Sequence, residues 1–483
     1  MSHRLVTLTM LFPTIDFAIF FAVVFTGSWL LSARPTPWKL FTLASSYVFY
    51  AWWQWRFVGL LLLATGIAHL GASAVYRYAD QPRLKRASLW LSVGALLAVL
   101  GYFKYYGFFA VNLDNLAQTM GLGQIAALIQ PTLPIAISFF TFMAISYVID
   151  VSRGSLLPAS PIDLAVYLAF FPHLVAGPIV RGAELLPQLR RRRDPNGIDF
   201  TRAGYLILGG LFKKVVISSY LASAIVDPVF ASPSSHSAID VLVAAWAYAC
   251  QIYCDFSGYT DIAIGLALLL GIKFPVNFDS PYTARTLQEF WRRWHITLSR
   301  WLRDYLYIPL GGNHGSRGET SRNIALTMVL GGLWHGANWT FLIWGLMHGL
   351  GQVLGHLRRG RLSARGLLIP AGPLTSIRQR FLTFQFVCLA WIFFRATSLS
   401  NAQALLSRLG SGWSTPSSVS LWALVLIVGV LSVQYLRLEK LEGILNRLAA
   451  VPLALQALGI AFGLFVITTL GPSGVAPFIY YRF

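Results

Sequence analysis

IDFAIFFAVVFTGSWLLSA, residues 15–33, holds a single charged side chain, Asp16, in a run that is otherwise apolar, small or hydroxyl-bearing. A helix rises 1.5 Å per residue, so about 20 apolar residues cross the roughly 30 Å hydrocarbon layer of a bilayer. A secretory leader has a shorter apolar region and ends at a small-residue cleavage site. Many more runs of the same kind follow, so residues 15–33 are expected to form a first membrane helix. Comparable runs occupy 57–75, 87–103, 133–149, 206–226, 239–254, 339–357, 381–394, 421–436 and 451–470. Shorter ones at 40–53, 164–180, 262–272 and 324–334 suit tilted, re-entrant or internally buried segments. Together they predict an all-α polytopic membrane protein with roughly 10–14 membrane segments. The runs are continuous rather than alternating, which excludes a β-barrel.

Composition agrees. Of 483 residues, 56% are hydrophobic and 12% charged, whereas a soluble domain carries about a quarter charged residues. No long polar stretch interrupts the runs, so one membrane domain over 1–470 is expected, with no separate soluble domain and a short aromatic tail at 471–483. The net charge of +20 comes from 38 Lys and Arg against 18 Asp and Glu. The cations sit in short clusters between apolar runs (Arg83 to Arg86, Arg190 to Arg193, Arg358 to Arg361, Arg378 to Arg380). That is the signature of cytoplasmic loops, so lipid is expected as a neighbour and nucleic acid is not. Cys250, Cys254 and Cys388 lie in apolar surroundings, and no second pair completes a metal-ligand set.

Three segments carry chemistry. FWRRWHITLSRWLRDY, residues 290–305, advanced about 100° per residue, places Phe290, Trp291, Trp294, Leu298, Trp301, Leu302 and Tyr305 on one arc. Arg292, Arg293, Ser299, Arg300, Arg303 and Asp304 lie opposite. The pattern predicts an amphipathic helix lying at a membrane interface, with His295 at the edge of the apolar arc. Its arginines serve either as lipid anchors, with His295 incidental, or as part of a site. In LGGLWHGAN, residues 330–338, His335 ends an apolar run among glycines. An ionisable group at membrane depth is costly unless it faces a wet or paired site, and imidazole suits proton transfer near neutral pH. The alternative is a histidine hydrogen-bonded between helices. His348 and His173 raise the same question more weakly. In CDFSGYTD, residues 254–261, Asp255 and Asp261 either mark a polar cavity or cap the next helix from a loop.

Taken together, SSYVFYAWW from Ser45, GYFKYYGF from Gly101, DFSGYTDIAIG from Asp255, EFWRRWHITLSRWLRDYLYIPLGGN from Glu289 and LGGLWHGANWTFLIWG from Leu330 resemble the membrane-bound O-acyltransferase family. The likeness is to its bacterial branch, typified by alginate O-acetyltransferase, and it runs from about residue 45 to 350. It implies a ring of helices around a thinned central tunnel, where a cytoplasmic donor and an extracytoplasmic acceptor meet. It implies His335 as the catalytic residue and His295 as its companion. Arg292, Arg293, Arg300, Arg303, Asp255, Asp261 and Asn338 become candidate donor or tunnel contacts. His314 stands where relatives commonly carry Arg or Lys.

The implied donor is an acyl thioester, acetyl-CoA or an acyl carrier protein, used as a substrate; no bound cofactor and no metal is expected. Implied partners are an extracytoplasmic SGNH-hydrolase-like acyltransferase and an exported polysaccharide, and the implied location is the bacterial cytoplasmic membrane. The ending PFIYYRF, residues 477–483, resembles an acyl-relay motif, with Tyr480 as the acyl acceptor; the alternative is an interfacial aromatic belt. D-alanyl transfer to teichoic acid is the competing activity. A lipid-linked sugar transporter is the non-enzymatic alternative, though the inverted repeats common in transporters are not evident.

Overall fold

The computed structural model describes residues 10, 12–123, 131–175, 177–366, 372–436 and 438–471. Tyr480 and the rest of the tail beyond Gly471 lie outside the described residues. Those described form helices, with 3-10 and π turns, joined by loops; no β-strand occurs among them. Among the described residues, five helical stretches are long and apolar enough to cross a membrane: Pro35–Arg77, Pro82–Lys104, Phe200–Ala231, Ala238–Leu269 and Leu453–Leu470. Ile15–Leu30, Ile137–Ser152 and Leu421–Val433 are shorter apolar helices. The runs expected at 339–357 and 381–394 are also helical, as Trp339–Ala364 and Pro373–Arg395, but both take basic residues into the helix. The fold is therefore an all-α polytopic membrane protein.

The chain forms two compact units, Met1–Ala203 with Ala263–Pro275 and Gly204–Ile262 with Val276–Phe483. In the first, Ile137–Ser152 is buried along almost its whole length. It packs with the neighbouring helices Val58–Arg77 and Pro82–Lys104. A β-carbon on Gly71 would sit 2.2 Å from the Ser92 hydroxyl, so only glycine allows that approach. Phe17, Phe49 and Phe171 form an aromatic cluster, with Phe17 edge-on to Phe49 and Phe171 tilted against both. Lys39 pairs with Asp163 at 2.5 Å. The 263–275 segment is held by Trp29, whose indole donates to the Leu269 carbonyl at 3.0 Å. Gln188 adds a two-way bond to the Lys273 backbone.

The second unit holds the segments singled out for chemistry. Sequence reading separates apolar runs at 239–254 and 262–272, but Ala238–Leu269 is one helix of 32 residues. Asp255 and Asp261 therefore sit on a helix, and the loop-cap alternative is corrected. The preceding helical stretch contains two π segments, Phe212–Ser218 and Ala222–Val226. Such single-turn insertions rotate the residues beyond them onto a new face. The two helices touch at glycine: a β-carbon on Gly210 would lie 2.6 Å from the Gly258 carbonyl, and one on Gly258 2.8 Å from that of Gly210. Arg317–His335 and Trp339–Ala364 form a hairpin closed in the same way. A β-carbon on Gly332 would meet the Phe341 carbonyl at 2.4 Å, and one on Gly345 the Met328 carbonyl at 2.5 Å. Of the glycines around His335, Gly332 thus serves backbone approach, while a β-carbon on Gly336 would run into the Phe341 ring.

The continuous interfacial helix expected over 290–305 is also corrected. The segment forms Leu287–Arg293 and Ile296–Leu302, broken at His295, and continues into a π turn, Arg303–Tyr307. Its apolar arc faces protein rather than lipid. Phe290, Trp294 and Leu298 are each 1% exposed, and Trp294 packs on Phe290, Tyr282 and Trp391.

Candidate active site

His295 owes its position to the loop that precedes it in sequence. The Asn277 carbonyl accepts from the Ile296 amide at 2.9 Å, and the Asp279 amide donates to the Arg293 carbonyl at 2.9 Å. This two-bond clamp brackets His295, which takes φ 42° and ψ 56°. A left-handed backbone is rare outside glycine, and the strain persists only where the surroundings impose it. The imidazole is fully buried. Its Nδ1 lies 3.1 Å from Oδ1 of Asn277, while Nε2 has no hydrogen-bond partner among the described residues. The ring meets Phe256 edge-on, with centres 4.6 Å apart, and Trp334 at 6.1 Å.

His335 is the last residue of Arg317–His335, where the chain turns at Gly336. It is 3% exposed, inside an aromatic box. Trp334, Trp344 and Phe394 stand edge-on to it at 5.0, 5.1 and 5.0 Å. Trp334 therefore contacts both imidazoles, and the structure brings together the two histidines that sequence reading singles out, 40 positions apart. His348 continues the cluster at 4.9 Å from Trp344. The Trp291 indole, which can only donate, bonds to its Nδ1 at 3.2 Å. A neutral His348 ring then carries its proton on Nε2. This core of aromatic faces and buried imidazoles excludes water and supplies groups able to hold or move a proton.

Asp255 pairs with Lys214, and the pair is almost completely buried. Asp261 pairs with Lys213, which also donates to Ser257 Oγ at 3.1 Å and lies over the Tyr253 ring. Sequence reading missed both lysines and Asn277. The signal for the lysines is their place in LILGGLFKKVVISSY, two cations inside an apolar run, the same signal that marks His335. Asn277 has no comparable signal.

The remaining expected contacts separate into two groups. Asn338 caps Trp339–Ala364, accepting from the Thr340 amide at 3.0 Å, and its amide reaches the Thr397 carbonyl. Arg293 bonds Glu289 at 2.8 Å and Thr283 at 2.9 Å, and Arg303 bonds its neighbour Asp304 at 2.6 Å. Arg300 is half-buried and Arg292 exposed. Arg292 lies close enough to Arg359 for its charge, after burial, to depress the Arg359 guanidinium. Arg358 and Arg359 line a half-open pocket of about 190 Å³ with Gln288, Gln352 and Gln379. His314 is exposed on its loop. In the other unit His173 is buried among Tyr167, Phe170 and Phe274.

Comparison with known proteins places this geometry. The profile of the membrane-bound O-acyltransferase family matches residues 155–363, which include both histidines and the Lys–Asp pairs. The chain is 42% identical over 405 residues to a probable alginate O-acetylase of Azotobacter vinelandii, covering 81% of this chain and 76% of that protein. It is 36% identical over 430 residues to a peptidoglycan O-acetyltransferase of Helicobacter pylori, covering 82% and 78%. A teichoic acid D-alanyltransferase of Bacillus subtilis is more distant, at 25% over 271 residues, covering 54% and 68%. On sequence and fold together, the chain belongs to the membrane-bound O-acyltransferase family.

Proposed function

We propose that this acyltransferase moves an acetyl group from a cytoplasmic thioester, acetyl-CoA or an acyl carrier protein, across the bacterial cytoplasmic membrane to an exported polysaccharide. The observation that carries the reading is the pair of buried imidazoles, His295 and His335, set against one indole in a dry aromatic core. Acyl transfer from a thioester needs a hydroxyl nucleophile and a base to take its proton. The hydroxyl oxygen bonds to the thioester carbonyl carbon, its proton passes to an imidazole, and the carbon–sulfur bond breaks. The proton then leaves with the thiolate as the free thiol. His335 is the preferred base, and His295 either shares that role or orients the thioester. The acetylating relatives at 42% and 36% identity support acetyl over D-alanyl.

Tyr480 is proposed as the first acceptor. Its phenol would take the acetyl as an ester and pass it to an extracytoplasmic SGNH-hydrolase-like transferase, which delivers it to the polymer. The test is purified protein incubated with acetyl-labelled CoA. Label is expected on the wild-type chain as a hydroxylamine-sensitive ester and is expected to be absent from Tyr480→Phe and His335→Ala. Label that survives both changes rejects the reading. Label acquired only from a D-alanyl carrier protein moves the enzyme to the competing activity.

A further inference from the structure

The hydrogen bonds around Asn277 decide which nitrogen of His295 carries its proton. Oδ1 of Asn277 accepts from the Thr297 backbone amide at 3.1 Å and from the Thr297 hydroxyl at 2.9 Å. A backbone N–H can only donate, so the Asn277 atom facing it is the carbonyl oxygen and not the amide nitrogen. The same oxygen lies 3.1 Å from Nδ1 of His295. An oxygen that only accepts there requires Nδ1–H. The Asn277 amide group points the other way, toward the Thr260 hydroxyl at 3.5 Å. Asn277 is 1% exposed and Thr297 3%, so water does not compete for these atoms.

We propose that Asn277 is a positioning residue that holds the His295 proton on Nδ1 and leaves the Nε2 lone pair as an acceptor for the hydroxyl proton of the acyl acceptor. Its use in acyl transfer rests on the function proposed above; the tautomer does not. The logic is that of an orienting group behind a basic imidazole, with a neutral amide in place of a carboxylate. Two observations support a neutral ring. Burial pushes the His295 pKa down, and the described residues place no carboxylate on either ring nitrogen. His348 has the opposite arrangement, since its Nδ1 accepts from Trp291. The core thus sets the imidazoles of His295 and His348 in opposite tautomers.

A purely structural Asn277, acting as a brace for the first turn of Ile296–Leu302, makes different predictions. Nitrogen NMR of histidine-labelled protein in lipid nanodiscs, with the His295 signals assigned by their loss in His295→Gln, reads the tautomer without any activity. The wild type is expected to carry its proton on Nδ1, and Asn277→Leu to move it to Nε2. In acetyl-transfer assays Asn277→Leu is expected to lose about 10²-fold or more in kcat, with KM for the thioester little changed. Asn277→Asp keeps the acceptor oxygen and should stay within about tenfold of wild type near neutral pH. Its new carboxylate favours the imidazolium, so activity should be lost at a higher pH as the pH falls than in the wild type. A wild-type proton on Nε2 overturns the proposal outright. So does an Asn277→Asp enzyme whose pH profile does not move, a result that stands even if Asn277→Leu fails to fold. If the wild type transfers no acyl group while the spectrum shows Nδ1–H, the acyl-transfer reading falls and the tautomer assignment stands.

Discussion

Lys214 and Asp255 are 1% and 3% exposed, a charge pair enclosed where two helices cross. Removing one member leaves the other charged and buried, which typically costs 3–5 kcal/mol, whereas removing both is often close to neutral. Lys214→Met is therefore expected to lose about 3–5 kcal/mol of stability in denaturant unfolding, and Lys214→Met with Asp255→Asn to regain most of it. Asp255 and Asp261 stood out in the sequence, but whether they mark a cavity or cap a helix was not legible there. Their partners lie 41 and 48 positions upstream, and the pairing depends on the contact of Gly210 with Gly258, which no local pattern encodes. His335 was legible because an imidazole in an apolar glycine-rich run is unusual whatever surrounds it. Asn277 was not, since an asparagine in a loop is ordinary until the chain folds it 18 positions forward onto His295.

At the scale of elements, the segment 290–305 shows how a correct periodicity can hide a break. The apolar residues on both sides of His295 face the same core, so the helical period survives one extended residue, Trp294, and one left-handed residue. The clamp from Asn277 and Asp279 creates the break, and it is visible only in three dimensions. Some helices were legible to within a few residues, as at Ile15–Leu30 and Leu453–Leu470, because apolar length is a local property; the run at 164–180 instead divides into Pro161–Ala169 and Phe171–Leu174. The break also sorts the arginines. Arg293 and Arg303 are spent on local carboxylates, while the charge of exposed Arg292 reaches Arg359, which lines the basic pocket. Two cations held close together favour an anion between them, and the phosphates of the thioester donor are the expected one. Arg292→Glu with Arg359→Glu should raise the apparent KM for the donor several-fold, and more at low salt, where charge is less screened. Steady-state kinetics at two ionic strengths checks this, and Arg303→Glu serves as a control expected to change little.

For the whole molecule, the reading of a polytopic all-α protein follows from composition and run length, and the structure agrees with it. The division into two compact units was not legible, because no polar linker marks the boundary. The transfer proposed above is directional: an acyl group would enter as a thioester on one side of the membrane and leave as an ester on the other, by way of His335. The most direct measurement uses everted membrane vesicles containing the protein, with acetyl-labelled CoA outside and the extracytoplasmic transferase and polysaccharide enclosed. Ester-linked label should accumulate inside with the wild type, and His335→Ala, equally abundant in the membrane, should lower the rate by about 10²–10⁴-fold. Interior label formed as fast by His335→Ala as by the wild type, or label confined to the donor side, would contradict the account.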